Sequence, residues 1–308
     1  MKRKKILLVI IAVLVAFIGF FVTALLMNKI IIRDVWMGDY KCDLYLKYRH
    51  AYIYEYGGTA EEIHIPEKIG LFKVVDICRN PYFENAYVKR FYVPKTEFDM
   101  QIKGCKNLEE IICEEGLENF YYWFSYNKNL KEVQLPNSIK SIREDAFEGC
   151  ASLEDITIPN NGKRIVIGID AFKKTGFEQK HKNDKYYVAG DNILIFDNAQ
   201  TEEEIVIPQG VKYDLVRPII EKANIYCSDS MLVADYKIGN GATLYTGEEE
   251  FQEIKIEGKG TVVAPENSPI EKYCKENGIN FRPITEEEDA IRRQKTEVAA
   301  ADVVYQED

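Results

Sequence analysis

Leu130-Lys-Glu-Val-Gln-Leu-Pro136 and Leu153-Glu-Asp-Ile-Thr-Ile-Pro159 follow one template, apolar at the first, fourth and sixth positions and closed by proline, with starts 23 residues apart. Leu108-Glu-Glu-Ile-Ile-Cys-Glu114 fits it 22 residues earlier with glutamate in the last place, and Val88-Lys-Arg-Phe-Tyr-Val-Pro94 fits 20 earlier again. Further copies read Ala60-Glu-Glu-Ile-His-Ile-Pro66, Glu202-Glu-Glu-Ile-Val-Ile-Pro208 and Phe251-Gln-Glu-Ile-Lys-Ile-Glu257. Val133 and Leu135 lie two apart, so both point to one face of a short strand while Gln134 faces the other way. Pro136 has no N–H to give a ladder and ends the strand.

A second element lies between the phrases: Ile139 and Ile142, then Ala146-Phe147, then Gly149-Cys150 before Leu153. The next copy supplies Ile167 and Ala171-Phe172, and the preceding one Phe124. A strand this short cannot bury its own apolar face, whereas stacked coils bury it against one another, which is the solenoid arrangement. The fold expected is therefore a β-rich solenoid with short parallel strands, with Phe124, Phe147 and Phe172 stacked inside it.

The order Leu130, Val133, Leu135, Pro136, Ile139, Ile142, Ala146, Phe147, Cys150, Leu153 resembles the BspA-like class of leucine-rich repeats, and Gly104-Cys105 before Leu108 repeats the junction. Tyr52–Gly58 together with the phrase ending at Pro66 looks like the family's opening hairpin and first repeat. Tyr187–Ile195 looks like its inserted hairpin, and Pro265–Phe281 like its closing segment with a short helix. The resemblance covers about residues 38–284 and degrades between Val211 and Glu250, where no Ala-Phe pair survives and the coil count is open. It implies a bacterial cell-surface protein with a binding or adhesion role and no catalytic residues; fold-level analogy supports a class and no particular ligand.

Ahead of the repeats, Ile6 to Met27 reads ILLVIIAVLVAFIGFFVTALLM, 22 residues broken only by Gly19 and Thr23. As a helix it is about 33 Å long, enough to span a bilayer. Lys2, Arg3, Lys4 and Lys5 precede it, and Lys29 and Arg33 follow. That bias places residues 1–5 in the cytoplasm and everything after Met27 outside, a single-pass protein of the cell membrane. The run is longer than the roughly 7–15 apolar residues of a signal peptide, which favours an uncleaved signal-anchor. Residues 28–37 then read as a linker and the repeats as extracellular.

The chain of 308 residues is 46% hydrophobic and 29% charged with net charge −10; with the four leading cations set aside, residues 6–308 carry −14. An acidic body repels phosphate backbones, so nucleic acid is not expected as a partner. His50, His64 and His181 are scattered without the spacing of a zinc site or a triad, and the glycine-containing turns lack a phosphate-binding fingerprint. Glu248-Glu249-Glu250 reads as solvated loop charge rather than as a carboxylate pair. Seven cysteines show no tight disulfide framework and read as buried thiols. No enzyme, metal or cofactor is expected, and the partner class is an extracellular protein or glycan; the alternative is a non-catalytic scaffold subunit of a cell-envelope complex. Residues 285–308 read as a solvated acidic tail, although Thr285 with Glu288 matches a capping box that can start a helix.

If the fourth and sixth positions face inward, the third and fifth face out and align across the sheet. The candidate binding face is then Glu62, His64, Tyr92, Glu110, Ile112, Glu132, Gln134, Asp155, Thr157 and Glu204. The third-position ladder, which also takes in Arg90 and Glu253, is acidic at six of seven places. Like charges on adjacent strands repel, so such a face suits a basic protein surface or a weakly held cation, with Tyr92 and Ile112 offering apolar contacts; the alternative is a solubilising surface.

Overall fold

The structure, a computed structural model, describes residues 2–26, 30–77, 85–96, 102, 105–214, 217, 219–247 and 251–307. Met27, Cys78, Gly104 and Glu248–Glu250 lie outside them. Helix α1 (Lys2–Leu26) covers the apolar run up to Leu26, and its described side chains, such as Val13, Phe17 and Phe20, are exposed. Among the described residues no helix is long and apolar enough to cross a membrane, so the structure lends the anchor no support.

The segment expected as a linker is instead largely a strand. β1 (Ile31–Met37), β2 (Tyr40–Tyr45) and β3 (His50–Tyr56) form an antiparallel meander, because Val35 and Met37 alternate onto the first core. The first repeat strand β4 (Glu62–His64) follows, and then β5 (Lys68–Ile69) and β6 (Phe72–Ile77). The meander sheet runs β1-β2-β3-β6-β5.

The next strands are β7 (Arg90–Val93), β8 (Glu110–Cys113), β9 (Asn119–Phe120), β10 (Glu132–Gln134), β11 (Ser141–Ile142) and β12 (Val166–Ile167). The phrases make a parallel sheet in the order β10-β8-β7-β4, and the second element makes the parallel ladder β12-β11-β9. Gly149 closes a coil at φ 74°, and a Cβ there would meet the Tyr126 ring at 2.7 Å, so glycine is required twice over. Phe147 stacks on Phe172 with centroids 6.0 Å apart and planes 1° from parallel. On its other side the stack differs from expectation: Phe120 lies 5.1 Å from Phe147, with Phe124 5.9 Å from Phe120.

A short helix α2 (Gly176–His181) leads to the hairpin of β13 (Tyr186–Ala189) and β14 (Ile193–Asp197), the expected insertion. All four β13 residues are buried, since the hairpin has protein on both faces. Tyr187, Ala189, Ile193 and Ile195 join the first core, and Tyr186, Val188 and Leu194 a second.

The second core lies under β15 (Glu204–Val206), β16 (Asn224–Tyr226), β17 (Val233–Ile238), β18 (Thr243–Tyr245), β19 (Glu253–Gly258) and β20 (Thr261–Ala264). The expected closing helix follows as α3 (Pro269–Asn277), capped by Ser268, and then β21 (Asn280–Pro283). The second repeat sheet runs β15-β16-β18-β20-β21. The phrase copy at Phe251–Glu257 is not one of its strands: it forms β19 and pairs with β17 alone. Alternating apolar residues suit either ladder, so the pattern could not separate them.

The acidic C-terminus is not a solvated tail. It forms α4 (Glu286–Ala300) and β22 (Val303–Tyr305), and β22 pairs in parallel with β13. The capping box is present, with Thr285 and Glu288 bonding each other's backbone. Arg282, donating at 2.6 and 2.9 Å, and the Thr285 N–H at 3.0 Å hold the Glu288 carboxyl down to about 2 from 4.5. A depressed carboxyl stabilises fully above its unfolded value and loses that contribution as pH falls through the folded one. Acid titration is therefore expected to loosen the start of α4 between pH 4.5 and about 2. Helical ellipticity should fall in that window and not in Glu288→Gln; equal titration of both would contradict the assignment.

Candidate binding face

Four in-register strands build the face. The third positions align as Glu62, Arg90, Glu110 and Glu132, and the fifth as His64, Tyr92, Ile112 and Gln134. Between them Ile63, Phe91, Ile111 and Val133 are buried, which fixes the outward set by strand alternation. Arg90, the apparent exception in an acidic ladder, is its clamp: the guanidinium bonds both Glu62 and Glu110. The Gln134 amide donates to Glu110 at 3.0 Å and to Glu132 at 2.9 Å. Glu132 is exposed and has no cationic partner among the described residues. His64 stacks on Tyr92 at 3.8 Å with planes 12° apart. The like-charge cost expected for the ladder is thus largely offset on one side and left at Glu132.

Beyond β10 the ladder lapses. Asp155 and Thr157 are exposed but belong to no strand, and Asp155 is paired with Lys180 of α2. The Ile158 backbone is taken by the Gln306 side chain, whose amide accepts from its N–H at 2.9 Å and donates to its carbonyl at 3.1 Å. A groove of about 670 Å³ opens here, with Glu132, Gln134, Asp155 and Thr157 among its walls. Glu204 lies elsewhere, at the start of the second repeat sheet, and Glu253 in the β17–β19 pair, where Arg164 meets it at 3.4 Å.

On the second sheet the equivalent positions are occupied. Val206, Tyr226 and Tyr245 align as fifth positions, with Tyr226 and Tyr245 stacked 4.9 Å apart. Helix α4 packs on β15 and β16, and its Lys295 pairs with Glu204 while its ammonium lies 4.9 Å over the Tyr226 ring. Neither Tyr226 nor Lys295 stood out in the sequence; the one available signal was Ile-Tyr at 225–226 matched by Leu-Tyr at 244–245.

No catalytic arrangement appears around the singled-out groups. His181 meets Asp184 at 2.7 Å and packs on Tyr187, and His50 stacks on Tyr48. Burial pushes the Cys150 thiol up to about 12 and its sulfur lies 3.1 Å from the Phe124 carbonyl, the surroundings of a core thiol rather than a nucleophile. Among the described residues no group of three or more His, Cys, Asp or Glu is placed to hold a metal.

A family model described as "BspA type Leucine rich repeat region" matches residues 79–201 in six copies. No curated protein matches the chain. Among solved structures, the pneumococcal vaccine antigen PcpA is 14% identical over 83% of this chain and 98% of its own, with a TM-score of 0.33. A leucine rich cell surface protein from Faecalibacterium prausnitzii A2-165 is 16% identical over 86% and 97%, with a TM-score of 0.22. Overlays this loose carry no argument; the in-register phrase strands and the six matched copies do, and they make residues 79–201 a BspA-type leucine-rich repeat region.

Proposed function

We propose that the protein is a membrane-anchored, extracellular binding module that takes a protein or glycan partner on the face of β4, β7, β8 and β10, and that a basic protein surface fits this face best. The observation that carries the reading is the pairing on the second repeat sheet, where Lys295 meets a third-position acid and a fifth-position aromatic ring. The first sheet offers the same two groups, acid at Glu110 and Glu132 and aromatic at Tyr92, and among the described residues no helix packs over them as α4 packs on β15 and β16. The bilayer part of the reading rests on the sequence alone, the apolar run Ile6–Met27 behind four basic residues.

Cells displaying the full chain should capture basic surface proteins in a salt-dependent way. Glu110→Gln with Glu132→Gln should weaken that capture about tenfold, the equivalent of about 1.4 kcal/mol. Unchanged capture with an unchanged circular dichroism spectrum would move the binding face elsewhere.

A further inference from the structure

The meander sheet has one end of a different character from the rest of the chain. Its register sets Ile31 opposite Tyr45, Tyr45 opposite His50, His50 opposite Lys73, and Lys73 opposite Lys68, a single row across the sheet. The turn between β2 and β3 closes beside this row: Leu46 N–H bonds the Ile30 carbonyl at 3.4 Å, and Lys73 N–H bonds the Arg49 carbonyl at 2.7 Å. Arg33, Lys47, Arg49, Lys68 and Lys73 are thereby gathered at this end, and all five are exposed.

Several exposed cations elsewhere are partnered, while others, such as Lys95, Lys128 and Lys255, stand singly and spread out without an ion pair among the described residues. Lys89 pairs with Glu61, Arg90 with Glu62 and Glu110, Lys131 with Glu109, and Lys140 with Glu118. None of the five rim cations is in an ion pair among the described residues. The nearby Asp34 is engaged by Lys41 at 3.5 Å and by the Tyr54 hydroxyl at 2.7 Å, and Asp43 accepts from the Asp34 N–H at 3.1 Å. Glu67 is the adjoining acid in sequence. Lys68 and Lys73 oppose each other directly across two strands, an arrangement that costs stability unless an anion lies nearby. Tyr48 and Ile32, both among the exposed large apolar side chains, lie on the same rim. The far end of the sheet, at Asp39 and Glu55, carries acid instead.

The rim is also the end at which the chain enters the sheet. Four residues separate Leu26 from Ile31, a span of at most about 15–18 Å even when fully extended. Five cations without an ion pair, Lys47 lying 4.9 Å over the Tyr48 ring, gathered that close to the end of an apolar helix in a chain of net charge −10, make a basic patch that attracts an anionic surface. We propose that this rim, with Arg33, Lys47, Arg49, Lys68 and Lys73, docks on anionic lipid headgroups of the bilayer that α1 enters and sets the attitude of the repeat array on it. The inference rests on the anchor reading above.

The test uses the full chain in lipid nanodiscs, with Tyr48→Trp as the probe in a Trp36→Phe, Trp123→Phe background and lipids brominated near the headgroup. In discs containing phosphatidylglycerol the probe should be quenched about twofold, and quenching should vanish in phosphatidylcholine discs or at high salt. Lys47→Glu with Arg49→Glu, Lys68→Glu and Lys73→Glu should abolish it while the chain still co-elutes with the disc. Co-elution with no quenching, or with equal quenching in neutral and anionic discs, overturns the rim proposal and leaves the anchor standing. Failure to co-elute overturns both.

Discussion

Arg292→Ala is expected to cost about 3 kcal/mol and to release the C-terminal helix and strand together. Arg292 is fully buried on α4 and donates to the Cys227 carbonyl at 2.7 Å, to Asp229 at 2.5 Å and to Asp289 at 2.9 Å. Breaking a buried pair by removing one partner costs about 3–5 kcal/mol because the other charge is left uncompensated. Asp229 and Asp289 keep some solvent contact and Arg293 remains beside both, which places the cost at the low end. Arg292→Met fills much of the volume without the charge, so the difference between the two variants separates packing from pairing. Denaturant unfolding measures the loss, and hydrogen exchange at Val303–Tyr305 should quicken with it, since β22 is held to β13 at the far end of α4. Protection at β22 equal to the parent's would show that α4 does not hold it.

Phe147→Ala should cost about 3–5 kcal/mol, as expected for a fully buried aromatic ring with rings above and below it. Coupling in a solenoid is mainly between nearest neighbours. Exchange should therefore quicken first at β11 and β12 and reach the second repeat sheet last. A uniform rise across the chain would mean that the hairpin of β13 and β14 couples the two cores into one cooperative unit rather than dividing them.

How far the sequence could be read depended on where the determining contacts lie. The phrase strands β4, β7, β8 and β10 were legible because inward and outward residues alternate with a period of two and three of the four phrases end in proline, which has no N–H for the ladder. The clamp at Arg90 was legible only as an oddity in a ladder, since its meaning needs Glu62 and Glu110 at one strand spacing on either side. Past Val211 the coils shorten and lose their Ala-Phe pair, and the short phrases at Asn224–Tyr226 and Thr243–Tyr245 both carry a tyrosine at the fifth position, where among the earlier phrases Tyr92 alone does.

What the sequence by itself determined is the repeat: the strand phrases, the inward set, the buried junction cysteines and the capping box at Thr285 all follow from spacing within about one coil. Tertiary structure alone decided which strands share a sheet, that Glu204 and Glu253 leave the acidic ladder, and that the acidic C-terminus packs. Arg292 finds its partners 63 and 65 residues away, and Gln306 finds Ile158 at a separation of 148. The physical reason is that a composition rich in charge reads as solvated unless its counter-charges are brought to it, and only the folded chain brings them.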